Sequence, residues 1–420
     1  MKKFPGIFLL LFALQTSIAQ TLSPTVVKNG GINYDRLSKI DTLLNNYVDK
    51  NWLVGDVVLI IKDNQVAYYK GHGYSDLSNK TPMQPNAIFR IMSQTKAITS
   101  LGIMQLFEQG KLGLDQKISD FIPEFKNPKV IKSFNAADSS FTTAPAKREI
   151  TFRDLLTHTS GLDYPAIGND TMKAVYSKNN IPSGLGYFNE NLLSRMKALA
   201  ALPLIHNPGE RFTYGLNADL LGCLIEIISG ESLESYFRKH IFEPLGMTET
   251  SFNVPLNKAG RMASVYTEDN FHKIIEWSPT FRSIDPKYPL MQKSYFSGGA
   301  GLSSTAFDYS IFLQMLLNKG TYNGKQILGR RTVELMLSPQ LPDNFLGNDN
   351  FCLGFLLTSK KSANLKMVSE GSFAWGGYYG TTYWADPKEK LICLIMTQHT
   401  PNSHGDYVEK IMNIIYGSLK

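Results

Sequence analysis

Cysteine is scarce in this sequence: Cys223, Cys352 and Cys393 are the three in 420 residues. That excludes a disulfide scaffold. Each sits among apolar neighbours, as in Leu221-Gly222-Cys223-Leu224, Phe351-Cys352-Leu353 and Ile392-Cys393-Leu394. They read as buried free thiols, since free cysteine packs as a small hydrophobe. No stretch approaches the roughly 18 uninterrupted apolar residues of a membrane span. No period of about 20–50 residues is visible, which excludes a solenoid or propeller. Excess charge is also small. There are 43 Lys and Arg against 36 Asp and Glu, and they are scattered. A scattered excess is a solvated surface rather than a nucleic-acid footprint. His399 and His404 are isolated, and no Cys or carboxylate cluster completes a zinc site. Asp343 to Asn350 lacks the twelve-residue calcium pattern and reads as a polar loop. No metal and no cofactor are implied.

The remaining composition describes an ordered enzyme-sized chain. Apolar residues make up 43%, including 24 Phe, 20 Tyr and 4 Trp. Such a chain buries enough surface to offset its ordering entropy, so disorder is excluded as the main state. The first residues read as an export signal over 1–19. Lys2 and Lys3 are its basic region, Ile7 to Leu14 its apolar run, and Ser17-Ile18-Ala19 its small-residue cleavage site. No Cys follows, so a lipid anchor is not supported. The mature protein, 20–420, is expected to be soluble in the periplasm or secreted.

Periodicity then sets the expected architecture. Residues 34–50 carry Leu37, Ile40, Leu43, Leu44 and Val48 at helical spacing. Asp56 to Lys62 and Gln65 to Gly71 read as a hairpin around Asp63-Asn64. Residues 92–110 are apolar on nearly all sides, the mark of a buried helix, and Gly110 ends it. Further helices are expected at 152–157, 218–229, 232–242, 305–319 and 330–338. Residues 163–207 and 253–296 lack clear periodicity and hold Tyr164, Tyr187, Phe188, Trp277, Phe281, Tyr288, Tyr295 and Phe296. These aromatics fit an acyl pocket or satellite cores equally. Strands are expected at 352–358, 366–370, 378–385 and 391–397, then a helix at 404–418. The fold class is therefore α+β. An antiparallel sheet is built from both chain ends, about 20–110 and 297–420. Helices flank it, and a mostly helical segment is inserted at about 111–296.

Three segments carry candidate chemistry. Ser93-Gln94-Thr95-Lys96 opens the buried helix, and residues i and i+3 share a helix face. The lysine amine can therefore reach the serine hydroxyl, a poor nucleophile until a base takes its proton. A lysine on a buried helix calls for a partner or a purpose. Tyr214-Gly215-Leu216-Asn217 follows the Pro208-Gly209 turn, and a phenol beside a lysine can relay a proton. Alone, Tyr214 reads as a core tyrosine with a bonded hydroxyl. Trp375-Gly376-Gly377-Tyr378 is read as opening a strand, where glycine admits a substrate close to the backbone. The Tyr378 N–H is then a candidate oxyanion donor beside the Ser93 N–H at the helix start. His158 and Ser160 invite a Ser-His reading but lie only two residues apart in a loop before Gly161. No Gly-x-Ser-x-Gly pentapeptide occurs, which argues against an α/β-hydrolase elbow.

Together these segments resemble the serine β-lactamase/penicillin-binding-protein superfamily, in the branch holding class C β-lactamases, D-stereospecific peptidases and family VIII carboxylesterases. Matching stretches are Phe89 to Lys96, Gly110-Lys111-Leu112-Gly113-Leu114-Asp115, Ile150 to Leu162, Pro244-Leu245-Gly246-Met247 and Gly298-Gly299-Ala300-Gly301-Leu302. The resemblance covers nearly the whole mature chain. It implies a β-lactamase/transpeptidase-like fold, Ser93 as acylated nucleophile, and Lys96 with Tyr214 as its base pair. It also implies an oxyanion hole from the Ser93 and Tyr378 N–H groups, with Trp375, Gly376, Gly377 and Asn217 binding substrate. For His158 and Ser160 it implies a structural or supporting role.

Two departures inform the substrate. Leu216 stands where the β-lactamases of this branch carry the asparagine of Y-x-N, and Asn217 lies one residue later. Trp375-Gly376-Gly377 stands for K-T-G. Losing that lysine removes an anion anchor that contributes about 1.5–3 kcal/mol and supplies an apolar, stacking wall. The pattern Y-x-L with W-G-G resembles the carboxylesterases. The expectation is an exported serine hydrolase acting on a small ester or amide, foremost a carboxylic ester. The alternatives are a β-lactamase or D-amino-acid peptidase, and a non-catalytic wall-binding module.

Overall fold

The computed structural model describes residues 21–281, 284–343 and 345–420. The expected export signal lies outside them. Strand β1 (Gly55–Lys62) turns into β2 (Gln65–Asp76) through Asp63 and Asn64, at φ +51° and +67°. Two successive positive φ values give the turn twist that suits a two-residue hairpin. Strand β3 is Thr81–Pro82. From the C-terminal part come β4 (Asn350–Phe351), β5 (Leu356–Leu357), β6 (Phe373–Gly376), β7 (Thr382–Asp386) and β8 (Leu391–Thr397). They form one eight-stranded sheet in the order β4-β5-β6-β7-β8-β1-β2-β3. Neighbours are antiparallel, and β1 joins the two chain ends by pairing with β8, Val58 opposite Ile395. The α+β sheet from both ends is as expected.

The two-residue repeat of β1 sorts its side chains between two cores. Val57, Leu59 and Ile61 enter the large core with helices α2 (Thr95–Glu108) and α4 (Ala306–Leu317). Val58 and Ile60 enter a second core under α1 (Lys39–Asp49) and α5 (Tyr407–Tyr416). Helix α3 (Asn217–Ser229) packs against α2. On the second face β1 and β2 carry a buried polar cluster. Asp56 and His72 are cross-strand partners, with Asp56 Oδ1 2.9 Å from His72 Nδ1. His72 Nε2 meets Tyr68 Oη at 2.9 Å and Asp41 Oδ1 at 3.3 Å. The three cysteines are buried and free. No helix among the described residues is long and apolar enough to cross a membrane.

Several expected elements are placed differently. Residues 366–370 are not a strand; the strand is β6, and the preceding chain turns at Gly371, φ +86°. The strand expected at 378–385 starts only at Thr382, because Gly377 N–H donates to Thr381 O (2.7 Å) and closes a turn. Trp375 and Gly376 therefore end a strand rather than open one. The unpatterned 163–207 stretch contains two helices, Asp170–Lys178 and Leu192–Ala200. Each is capped by an asparagine, Asn169 or Asn191, whose side chain accepts a backbone N–H of the first turn.

Candidate active site

Ser93 lies on a single 3-10 turn, Met92–Gln94, that runs into α2. The turn is entered through Met92 at φ +47°, a left-handed conformation that side-chain-bearing residues rarely adopt. Met92 is fully buried in a small aromatic core with Trp277, Tyr288 and Tyr379, which holds it there. The helix that follows is buried from Thr95 to Leu106, as its all-round apolar sequence requires.

Lys96 is 2% exposed, yet it has three acceptors. Its Nζ donates to Gly299 O at 2.7 Å, Tyr164 Oη at 2.9 Å and Ser93 Oγ at 3.2 Å. An ammonium has three N–H donors, so each finds one oxygen. This is the condition for burying such a group. The nitrogen also lies over the Tyr214 ring, 4.6 Å from its centroid.

The Gly299 carbonyl is delivered by the Gly298-Gly299-Ala300-Gly301 loop, and only glycine fits there. A Cβ on Gly298 would meet Ala218 O at 2.4 Å, and one on Gly299 would meet Asp219 Oδ2 at 2.5 Å. Thr99 Oγ1 on α2 donates to Gly298 O (2.7 Å), pinning the loop to the helix. Asp219 on α3 is fully buried and accepts from Tyr295 Oη at 3.3 Å. Burial pushes its carboxyl up, while Ser297 and the charge of Lys96 pull it back.

The two tyrosines are brought together by one backbone zipper. Thr213 N–H donates to His158 O (2.7 Å) and Gly209 N–H to Thr159 O (2.8 Å), while Leu216 N–H reaches Asp163 O (3.3 Å). The Tyr164 and Tyr214 rings lie 5.4 Å apart. Tyr164 is buried, and burial, with Tyr214 and Asp219 beside it, holds its phenol well above the usual tyrosine range. It therefore remains a neutral phenol that accepts from Lys96. The Tyr214 hydroxyl oxygen is buried and has no hydrogen-bond partner among the described residues. The pairing of Lys96 with Tyr214 that the resemblance implies is not a hydrogen bond here: that bond goes to Tyr164, and Tyr214 offers its ring face.

Ser93, Tyr164, Tyr214, Ile167, Leu185, Trp375, Gly376, Gly377 and Tyr378 line one cavity of about 330 Å³. Trp375 packs edge-on against Phe351 (5.4 Å) and tilted against Tyr214 (5.6 Å). Gly377 is required by close approach, since a Cβ would meet Thr381 Oγ1 at 2.3 Å and Ile91 O at 2.5 Å. The end of β6 thus closes on the segment that carries Ser93.

Asn217 is a correction. It does not line this cavity. It is fully buried at the start of α3, where Oδ1 accepts from Ser160 Oγ (2.5 Å) and Nδ2 donates to His158 Nδ1 (2.9 Å). The extra residue after Tyr214 carries the amide to the structural side. His158 and Ser160 are consumed in the same network, as expected, and burial holds the His158 imidazole well below its usual range. The sequence offers Tyr164 as a pocket aromatic, which it is, but not as the hydroxyl partner of Lys96, and it offers Asp219 no role. Tyr164 carries no signal of its own beyond following His158-Thr159-Ser160-Gly161-Leu162-Asp163.

The profile of the Beta-lactamase family matches residues 40–413. The chain belongs to the beta-lactamase family. Protein Rv1367c of Mycobacterium tuberculosis strain H37Rv is 32% identical over 371 residues, covering 85% of this chain and 89% of that protein. The N-acetylmuramyl-L-alanine amidase of Bacillus subtilis is 26% identical, covering 93% of this chain and 89% of that one. Among solved structures, EstCE1, a hydrolase with promiscuous acyltransferase activity, is 27% identical with a TM-score of 0.76, covering 91% of this chain and 99% of that one. This beta-lactamase-family chain thus has the fold of a serine-hydrolase family, with a hydrolase and an amidase among the proteins it resembles, and Ser93, Tyr164 and Tyr214 line one cavity of that fold with Lys96 bonded to Ser93 behind it.

Proposed function

We propose that this protein is an exported serine hydrolase that cleaves carboxylic esters through an acyl-enzyme on Ser93. The observation that carries the reading is the contact of Lys96 Nζ with Ser93 Oγ, 3.2 Å apart, beneath a cavity walled by Trp375. Lys96 enters the reaction as the neutral amine of the Lys96–Tyr214 pair; Ser93 Oγ gives its proton to the lone pair of Lys96 Nζ, 3.2 Å away, and attacks the carbonyl carbon. The negative charge on the former carbonyl oxygen is received by the Ser93 and Tyr378 N–H groups. The C–O bond breaks, the departing alcohol takes the proton back from the pair, and the acyl group stays on Ser93. Water then repeats the sequence, and the acid leaves. Tyr164, held as a phenol, steadies the Lys96 amine rather than taking the proton.

The substrate preference follows from the walls. Trp375, Tyr214, Ile167 and Leu185 are apolar or aromatic, and no cation lines the cavity among the described residues. A β-lactam carboxylate finds no charged partner there. Such a bond is worth about 1.5–3 kcal/mol, or roughly 10- to 100-fold. The expected result is that kcat/KM for a short-chain aryl ester exceeds that for nitrocefin by at least about tenfold. Nitrocefin turnover equal to ester turnover would reverse the assignment. Hydrolysis of cell-wall amides is a second reading, supported by the Bacillus subtilis amidase as a relative over most of the chain.

A further inference from the structure

We propose that a second cleft beside the nucleophile cavity is an anion subsite, in which Arg211 receives a carboxylate carried by the leaving group of the substrate. The inference rests on the acyl-enzyme reading above. The cleft has a volume of about 320 Å³, and its walls include Asp163, Ile167, Asn169, Arg211, Thr213 and Tyr214, so it holds one carboxylate as well as the guanidinium. Ile167 and Tyr214 also line the cavity that holds Ser93, so the two spaces share a wall.

Arg211 stands apart from every other described arginine. Arg36, Arg90, Arg148, Arg153, Arg195, Arg238, Arg261, Arg330 and Arg331 each donate to an acceptor within the fold. Arg211 is exposed and has no hydrogen bond or ion pair among the described residues. The carboxylates around it are already engaged. Asp163 accepts from the N–H groups of Tyr164 and Asn169, both at 2.8 Å. Glu210 accepts from Asn207, from the backbone N–H at 3.2 Å and from Nδ2 at 3.0 Å. The backbone on either side of Arg211 is fixed, since Gly209 N–H and Thr213 N–H are both bonded to the buried 158–159 segment. A planar, five-donor fork on a fixed backbone suits bidentate capture of a carboxylate.

The direction follows from the proton path. The Lys96–Tyr214 pair returns its proton to the departing oxygen, so the departing group lies against Tyr214. Its far end then extends past the edge of Tyr214 towards the cleft that shares this residue and Ile167 with the nucleophile cavity. Trp375 leaves the nucleophile cavity without a cation for a carboxylate held close to the scissile bond, as in a β-lactam, whereas Arg211, in the neighbouring cleft, meets a carboxylate at the far end of a longer leaving group.

The test compares phenyl butyrate with 3-carboxyphenyl butyrate, read as the ratio of their kcat/KM values. Wild-type protein is expected to favour the carboxylate-bearing ester. Arg211→Ala is expected to lower that ratio by about two- to fivefold, the scale of an ion pair at an exposed site. Arg211→Lys is expected to retain part of it, and high salt to shrink it in wild type. A ratio that is the same in wild type and Arg211→Ala, with both esters still turned over, overturns the subsite alone. If neither ester is turned over or acylates Ser93, the acyl-enzyme reading fails and the subsite with it.

Discussion

Lys96→Met is expected to lower ester turnover by about a thousandfold while leaving the protein folded. Methionine keeps an unbranched stem of similar length in the α2 core and removes only the amine. General-base assistance of this kind contributes about 10²- to 10⁴-fold, and the Ser93 proton then has no neighbouring nitrogen to receive it. Three oxygens lose their donor at once: Gly299 O, Tyr164 Oη and Ser93 Oγ. The Gly299 carbonyl is the costly one, since an unsatisfied buried acceptor costs about 1–3 kcal/mol. Steady-state kinetics and thermal unfolding of the same preparation separate the two effects. Turnover within tenfold of wild type, in a folded variant, would remove Lys96 from the proton path.

Asp56→Ala is expected to destabilise the fold by about 3 kcal/mol, although Asp56 lies on the sheet face opposite the nucleophile helix. Removing one member of a buried ion pair costs about 3–5 kcal/mol, because the partner is left without compensation. The low end applies because Tyr68 and Asp41 still reach the other His72 ring nitrogen. The same cluster sets a pH dependence. Burial works against the His72 charge, but the Asp56 and Asp41 carboxylates outweigh it and hold the imidazole above its usual value. A raised folded-state value gives stability that is fully present below the unfolded value, about pH 6.5, and is lost as pH rises through the folded one. Burial also raises Asp56; its contribution has the same sign but starts to be lost lower, as pH rises from its unfolded value of about 3.9 through the folded one. The margin between wild type and Asp56→Ala in denaturant unfolding should therefore be widest below about pH 6.5 and narrow above it. A margin that is absent, or that widens with pH, would contradict this.

The parts of the fold that were legible in the sequence are those set by local periodicity. The β1–β2 hairpin, the buried helix behind Ser93 and the amphipathic helices at both ends bury the side chains their spacing marks. The Ser93–Lys96 contact was legible for the same reason, since a spacing of three residues puts the two side chains on one face of a helical turn. Tyr164 was not, because its place beside Lys96 depends on a zipper between 158–164 and 209–216, segments far apart in the chain. Asn217 was misread because one inserted residue at a helix start turns an amide from the cavity to the interior. Trp375 and Gly376 were assigned to the wrong end of a strand. The choice is made by Gly377, which must pass within contact of Ile91, and nothing local to 373–378 encodes that. The helices at 170–178 and 192–200 did carry a local signal, the capping side chains of Asn169 and Asn191, but their short apolar faces hid it.

The most direct measurement is intact mass spectrometry after brief exposure to an activated butyrate ester, followed by peptide mapping. The expected result is one added butyryl group, located on Ser93, formed at a reduced rate in Lys96→Met and absent from Ser93→Ala. An acyl group on any other residue, or ester turnover that survives Ser93→Ala, would contradict the central claim.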